Sequence, residues 1–478
     1  MISADRRTSI RVMETIGSPP RRAYVETYGC QMNVADGELM EGILSSSGYE
    51  LVREPAEADL VLVNTCAIRE HAERRVLGRV AQLKRLKQGR PEVVLGVTGC
   101  MAQRMGNSLL ERAPYVDLVM GPDGYRSLPE RISEIRRGRT VSRTAGTRRP
   151  GGGPQRAQLA VLDLDGNEHY EGLAVRRRSG TTAWVSIQRG CNHRCTFCIV
   201  PYVRGPEKNR APGDVLREVA ELGAAGVTEV TLLGQTVNSY RSGSWSFPRL
   251  LSAVSRVDGI RRVRFTSPHP NDVTPELVEV MANEPGVCEQ LHLPLQAGSN
   301  RTLRRMLRRH TVESFLETVE RLRDAMPDIA LSTDVIVAFP GESDREFRET
   351  LDVLAEVRFD DAFTYKYSLR EGTPASRLPA GDFLPSEVAQ ARLEALIELT
   401  RGIQREVNLG EVGRVEEVMV DAPARRPGQL RGRTRRNKVV AFPAGSARPG
   451  DFVTVELTAT SGPTFSGRLL PSRVAASA

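Results

Sequence analysis

The chain has 478 residues, 40% of them apolar and 26% charged, which is ordinary for a soluble protein with two to four cores. No apolar run approaches the roughly 18 residues of a membrane span, and the Arg-rich first 22 residues lack an apolar h-region, which argues against a membrane protein or a secretory signal; a cytoplasmic protein is expected. The net charge of +8 suits a polyanionic partner without demanding one, and seven cysteines are too few for a disulfide scaffold.

Residues 1–20 read as a flexible tail, and 21–137 as a first domain. Strand Ala23–Tyr28, helix Val34–Ser47, strand Asp59–Asn64, helix Ile68–Lys87, strand Val93–Val97, a helix opening near Met101 and strand Tyr115–Met120 follow in turn. Buried strands alternating with helices imply a small parallel sheet. Cys30, Cys66 and Cys100 each come directly after one of the first three strands, 36 (66−30) and 34 (100−66) positions apart. Parallel strands end on a common edge, so the three thiols are expected to converge there and form a cluster.

Residues 138–176 are rich in Arg, Gly and Pro and read as a linker holding one short β-like piece, Leu159–Leu164. A second domain is expected over 177–407. Its strands are Trp184–Gln188, Glu229–Leu233, Arg262–Thr266, Glu289–Leu293, Ile329–Val337 and Ala362–Ser368, with helices Val215–Ala225, Arg249–Val257, Pro275–Ala282, Val312–Ala325 and Glu346–Val357 between them. Six strand–helix units make a partial, open barrel. Cys191, Cys195 and Cys198 sit at i, i+4 and i+7 on the loop after its first strand. Three close thiolates suit a four-iron cube with one corner left open. Structural zinc with His193 as fourth ligand is the competing reading, although the spacing is not that of a zinc ribbon. Cys288, in a strand-like run, reads as a buried core thiol.

Ser386–Asn408 reads as a long amphipathic helix leading out of the barrel. Short β runs over 410–473 (Val415–Val420, Val439–Phe442, Phe452–Leu457, Phe465–Leu470) then imply a small β-barrel. Residues 425–438 carry seven basic side chains and no acid: Arg425, Arg426, Arg431, Arg433, Arg435, Arg436 and Lys438. Such a run is either a solvated loop or a footprint for nucleic acid, and its place on a small barrel favours RNA.

The stretch Gly190–Gly205, GCNHRCTFCIVPYVRG, resembles the methylthiotransferase branch of the radical S-adenosylmethionine (SAM) superfamily. TYGCQMN (27–33), NTCAIRE (64–70) and GCMAQR (99–104) resemble that branch's N-terminal domain. The text at the later strand ends, including TLLGQTVNSY (231–240), RFTSPHP (264–270), HLPLQAGSN (292–300) and STDVIVAFPGES (332–343), fits the same family, and the C-terminal β region resembles its TRAM domain. The resemblance spans about residues 21–473. It implies an α/β chain with a small parallel-sheet domain, a (β/α)6 radical SAM core and a TRAM-like barrel.

The resemblance further implies two [4Fe-4S] clusters, one on Cys191, Cys195 and Cys198 that binds SAM, and an auxiliary one on Cys30, Cys66 and Cys100. Electron transfer to SAM would generate a radical that removes hydrogen from the substrate. Sulfur would come from or through the auxiliary cluster, and the methyl group from a second SAM. Phe197, Gly234, Gln235, Val335, Val337 and Pro340 are the implied SAM contacts; no side chain is identified as a general base. Tyr28, Asn33 and Arg204 are placed beside the cluster loops, where they can position substrate. LGQTVNSY and RFTSPHP resemble the branch acting on isopentenylated adenosine beside the anticodon of tRNA. The implied partners are therefore tRNA, a low-potential electron donor and a sulfur donor or cluster-repair protein, with a monomeric chain and no membrane. Methylthiolation of a ribosomal-protein aspartate, an RNA methylase and a non-catalytic iron–sulfur RNA-binding protein are the alternatives. Ala338, where the family more often has glycine, and Asn209–Pro212 depart from the pattern.

Overall fold

The computed structural model describes residues 20–67, 70–144, 157–177 and 180–471. The expected tail, up to residue 19, and the Arg/Gly-rich part of the expected linker, 145–156, lie outside the described residues. Strands β1 (Arg22–Thr27), β2 (Glu50–Leu51), β3 (Leu60–Thr65), β4 (Val94–Gly99), β5 (Leu118–Met120) and β6 (Leu159–Val161) form one all-parallel sheet in the order β2-β1-β3-β4-β5-β6. Every residue of β3 and β4 is buried. Helices cover both faces of the sheet, so its inner strands read as unbroken apolar runs.

The segment read as a linker is largely part of this domain. Helix Leu128–Thr144 runs into it, and Leu159–Val161 closes the sheet as its sixth strand. Gln103 donates to Leu162 O at 2.6 Å, Glu168 pairs with Arg126 at 2.8 Å, and Tyr170 stacks on Tyr125. A three-residue strand has no periodicity of its own, so only its pairing with β5 reveals it.

The central domain holds two three-stranded parallel sheets. β7 (Thr182–Ser186), β8 (Glu229–Leu233) and β9 (Arg262–Phe265) lie in the order β9-β8-β7. β10 (Gln290–His292), β11 (Ala330–Val337) and β12 (Asp361–Lys366) lie in the order β10-β11-β12, and the bridge Val263–Val287 joins the two sheets. The result is an open half-barrel. One face of each of the first five strands (Val185, Val230, Leu232, Val263, Phe265, Leu291, Leu331, Val335) packs on the surrounding helices in one large core.

Helix Ser386–Gly410 leads to a closed barrel of β13 (Val415–Pro423), β14 (Gln429–Thr434), β15 (Val439–Pro443), β16 (Phe452–Ser461) and β17 (Thr464–Leu469). β14 falls within the basic run, so that run is not a single loop. The barrel is bolted under the half-barrel, at the strands' N-terminal ends. Arg262 donates to Arg433 O at 2.8 Å and Glu417 O at 2.9 Å; Arg264 donates to Arg435 O at 2.7 Å and Thr434 O at 2.8 Å. Among the described residues no helix is long and apolar enough to cross a membrane.

Ala338 adopts φ +57 at the end of β11, where its N–H donates to Glu342 at 2.7 Å. An L-residue with a β-carbon is strained there. Ala338→Gly is expected to raise stability by about 1 kcal/mol, less the extra entropy of glycine in the unfolded chain, and the shift in urea midpoint measures it.

Candidate active site between two cysteine triplets

Cys30, Cys66 and Cys100 follow β1, β3 and β4 and meet on one sheet edge. Two glycines permit this. Gly29 has φ +128, and a β-carbon there would lie 2.5 Å from Cys66 Cβ; Gly99 has φ +93, and a β-carbon there would strike Thr65 O. Asn33, fully buried, donates to Thr65 O at 2.8 Å and accepts on its own carbonyl from Asn64 at 2.7 Å, tying the first two cysteine loops together. Cys66 and Cys100 are buried and Cys30 is half-buried; all seven cysteines are free thiols. The hydrogen bond with Cys66, aided by the Arg204 guanidinium, pulls the Cys30 thiol down to about 6, while burial pushes Cys100 up.

The second triplet lies on the loop after β7. Cys191 Sγ is 3.1 Å from Thr236 Oγ1, and Arg308 Nη1 is 3.5 Å from Cys195 Sγ. Burial, with Cys195 next, pushes Cys198 up to about 12. Binding a metal displaces such thiol protons, so these groups load as thiolates.

The two triplets face each other across the domain boundary. Ala67 and Cys100 pack against Ile199 and Val203, which follow the second triplet. Arg370 donates to Ala67 O at 2.8 Å and feels the charges of both Cys66 and Cys198; burial lowers its pKa. Fully buried Asp36, from helix Gln31–Ser46, accepts from Arg189 at 2.8 Å and Arg204 at 2.7 Å, and Arg204 Nε lies 3.1 Å from Cys100 Sγ.

Zinc and an iron cube ask for different sulfur spacings. Tetrahedral zinc holds sulfurs about 3.8 Å apart, from Zn–S near 2.3 Å. Among the described residues, the only set of three metal-capable side chains within 4.8 Å is His193, His269 and Asp272, which contains no cysteine. His193 instead stacks on His269 with ring centroids 4.1 Å apart, and its Nε2 lies 3.6 Å from Asp272.

A cofactor cradle also fits the strand ends. Among the described residues, Gln235 Oε1, Gln296 Oε1, His269 Nε2 and the Tyr367 hydroxyl are buried without a hydrogen-bond partner. Buried polar atoms rarely stay unsatisfied, so these suit a polar guest. Gly234 is where Gln188 closes in: a β-carbon there would lie 2.8 Å from Gln188 Oε1, which accepts from Thr236 N–H at 2.9 Å. Phe197 packs with Ile336, Phe339 and Tyr367 on the cluster side.

Several expected site residues sit elsewhere. Val335 and Val337 point into the helix-side core, so they cannot pack against a ligand inside the half-barrel; Ile336, one position away, faces it. Strand side chains alternate, and a reading one residue out of step chooses the wrong face. Pro340 is buried, and its carbonyl accepts from Arg305 at 3.1 Å. Tyr28 is tied to Glu26, and Asn33 and Arg204 are buried scaffolding rather than substrate contacts.

The basic run is divided. Arg435 binds Glu289 at 2.8 Å and Val287 O at 2.6 Å; Arg436 binds Glu411 at 2.8 Å and Glu416 at 2.6 Å; Lys438 binds Asp360 at 2.6 Å. Arg433 lies 3.5 Å from Asp421. Arg435, Arg436 and Lys438 are thus held in ion pairs within the protein, while Arg433 is half-exposed and only loosely paired. Only Arg425, Arg426 and Arg431 are exposed. Asp36, Arg189, Arg308 and Arg370 escaped sequence reading; an acid inside an apolar helix face was the one available signal, at Asp36.

Comparison with known proteins agrees with this architecture. Residues 22–121 match the uncharacterized protein family UPF0004, 185–354 the radical SAM superfamily and 410–470 the TRAM domain. A tRNA-2-methylthio-N(6)-dimethylallyladenosine synthase of Acidothermus cellulolyticus is 42% identical, over 96% of this chain and 90% of that protein. Proteins of the same name from Thermobifida fusca and Moorella thermoacetica are each 44% identical, over 92% and 90% of this chain and 87% and 94% of their own lengths. The radical SAM methyltransferase TsrM of Kitasatospora setae shares the fold, with TM-score 0.55 at 17% identity over 74% of both chains. Identity of this level over nearly the whole length, across all three domains, places the chain in the family of tRNA-2-methylthio-N(6)-dimethylallyladenosine synthases, a branch of the radical SAM methylthiotransferases.

Proposed function

We propose that the protein converts N6-dimethylallyladenosine beside the anticodon, at position 37 of tRNA, to its 2-methylthio derivative. The observation that carries this is the pair of cysteine triplets facing each other across one domain boundary. Forming a C–S bond at an unactivated C–H is beyond any side chain, so cofactors must carry it. When bound, two [4Fe-4S] clusters and two SAM molecules per product supply the radical cleavage, the sulfur and the methyl group.

The chain's own residues hold these groups and keep water away. Cys191, Cys195 and Cys198 hold one cluster beside the orphaned amides of Gln235 and Gln296. Cys30, Cys66 and Cys100 hold the other, on a rigid sheet edge, and Arg370 sits between them. A low-potential electron donor and a sulfur donor or cluster-repair protein complete the cycle; the chain acts as a cytoplasmic monomer, with domains near 21–176, 177–407 and 410–473.

Nucleoside mass spectrometry tests the reading. Anaerobically reconstituted protein, SAM, a reductant and isopentenyladenosine-containing tRNA should yield the 2-methylthio nucleoside. SAM cleavage with no modified nucleoside would overturn the tRNA assignment and direct the search to ribosomal protein.

Arg425, Arg426 and Arg431 support RNA contact, since they are the exposed members of the basic run. Changing all three to Ala should weaken tRNA binding and flatten the plot of log affinity against log salt by about 2–3. An unchanged slope would remove these residues from the RNA interface.

A further inference from the structure

We infer that Arg204 is a positioning residue that sets the reduction potential of the cluster on Cys30, Cys66 and Cys100 from across the domain boundary. This rests on the two-cluster reading above. Arg204 ends helix Val200–Arg204, six residues after Cys198, and so belongs to the radical SAM loop. Its side chain leaves that loop. Nε lies 3.1 Å from Cys100 Sγ, and Nη2 donates to Asp36 at 2.7 Å. Among the described residues, Nη1 is buried with no partner. A guanidinium presents its donors in a fixed fork, so two anchored nitrogens also fix the direction of the third. A buried donor without an acceptor beside three thiols is what a cluster's sulfur would complete.

Charge counting agrees. Arg189 and Arg204 face one carboxylate, Asp36, and all three are at least nine-tenths buried. The constellation therefore carries one unbalanced positive charge. Isolated buried charge is strongly disfavoured. An oxidised cube on three thiolates carries roughly −1 and neutralises it. Hydrogen bonds and positive charge at cluster sulfurs favour the more negative, reduced state and raise its potential. Asp36 opposes this by drawing on the same guanidinium.

EPR-monitored redox titration of the full-length, anaerobically reconstituted protein tests the assignment. A Cys191→Ala, Cys195→Ala, Cys198→Ala background isolates the cluster of interest. Arg204→Gln should move its midpoint to more negative potential. Arg204→Lys, which keeps the charge but loses the fork, should fall between that and the parent. Asp36→Asn should move it the opposite way, to more positive potential. A residue that merely braces the fold would leave the midpoint unmoved in Arg204→Lys and Asp36→Asn. Unchanged midpoints, or Arg204→Gln and Asp36→Asn moving in one direction, would overturn the inference. Arg204→Lys and Asp36→Asn keep the test decisive if Arg204→Gln fails to fold. Iron content separates the premise: the parent protein should hold roughly eight irons per chain, and about four would mean that the two-cluster reading itself has failed.

Discussion

Cys66→Ala should reduce the 2-methylthio product to background while SAM is still cleaved to 5′-deoxyadenosine; Cys195→Ala should lose both. The two outcomes differ because the triplets sit on different folding units. Cys66 lies at the end of β3, in the first domain, 5% exposed and packed against Gly29. Removing its sulfur opens one corner of the auxiliary site and leaves the loop at 191–198 untouched. Cys195 is buried in that loop, beside Arg308, and its removal strips the site proposed to engage SAM. Iron should fall by about four per chain in either variant. Product formation by Cys66→Ala at the parent rate would refute the division of labour between the clusters. It would also leave the 36- and 34-residue spacings of the N-terminal cysteines without a chemical purpose.

The parts legible in the sequence are those with a local signature. Each N-terminal cysteine directly follows an apolar strand, so their convergence followed from parallel geometry alone. The strands of both α/β domains were legible for the same reason: β8 occupies Glu229–Leu233, as the apolar run indicated. What escaped is non-local. Asp36 and its arginines are 153 and 168 positions apart, and nothing near Asp36 announces them. The basic run misled in the same way. Its acidic partners Glu289 and Asp360 lie far upstream, so a run that looks one-signed along the chain is largely neutralised in space. Val335 and Val337 failed for a subtler reason. The correct strand was chosen, but Val335–Val337 is an apolar run, and its faces are told apart only by counting back to Ser332 and Asp334, which share a face with Ile336.

The neutralised arginines make the C-terminal barrel a fixed floor rather than a tethered module, and Arg264→Met should show it. Arg264 is 6% exposed, and its guanidinium faces Glu229 at 3.1 Å, itself 5% exposed. It also donates to the carbonyls of Thr434 and Arg435, at the edge of β14. Methionine fills similar volume but leaves a buried carboxylate without a counter-charge and two carbonyls without donors. Removing one partner of a buried pair costs about 3–5 kcal/mol. That weakens the floor's attachment, so hydrogen exchange over Gln429–Thr434 should quicken roughly 100- to 5,000-fold. Adding Glu229→Gln should recover part of the loss, because the lone charge is then gone and only the carbonyls remain unpaired. An exchange rate unchanged in Arg264→Met would mean that the barrel is held by Arg262, Arg435 and Lys438 without it. A double variant no better than the single one would place the cost in the lost carbonyl bonds rather than in the stranded carboxylate. In either case the cluster face, at the opposite ends of these strands, should keep its iron, since β8 and β9 span the distance between floor and site.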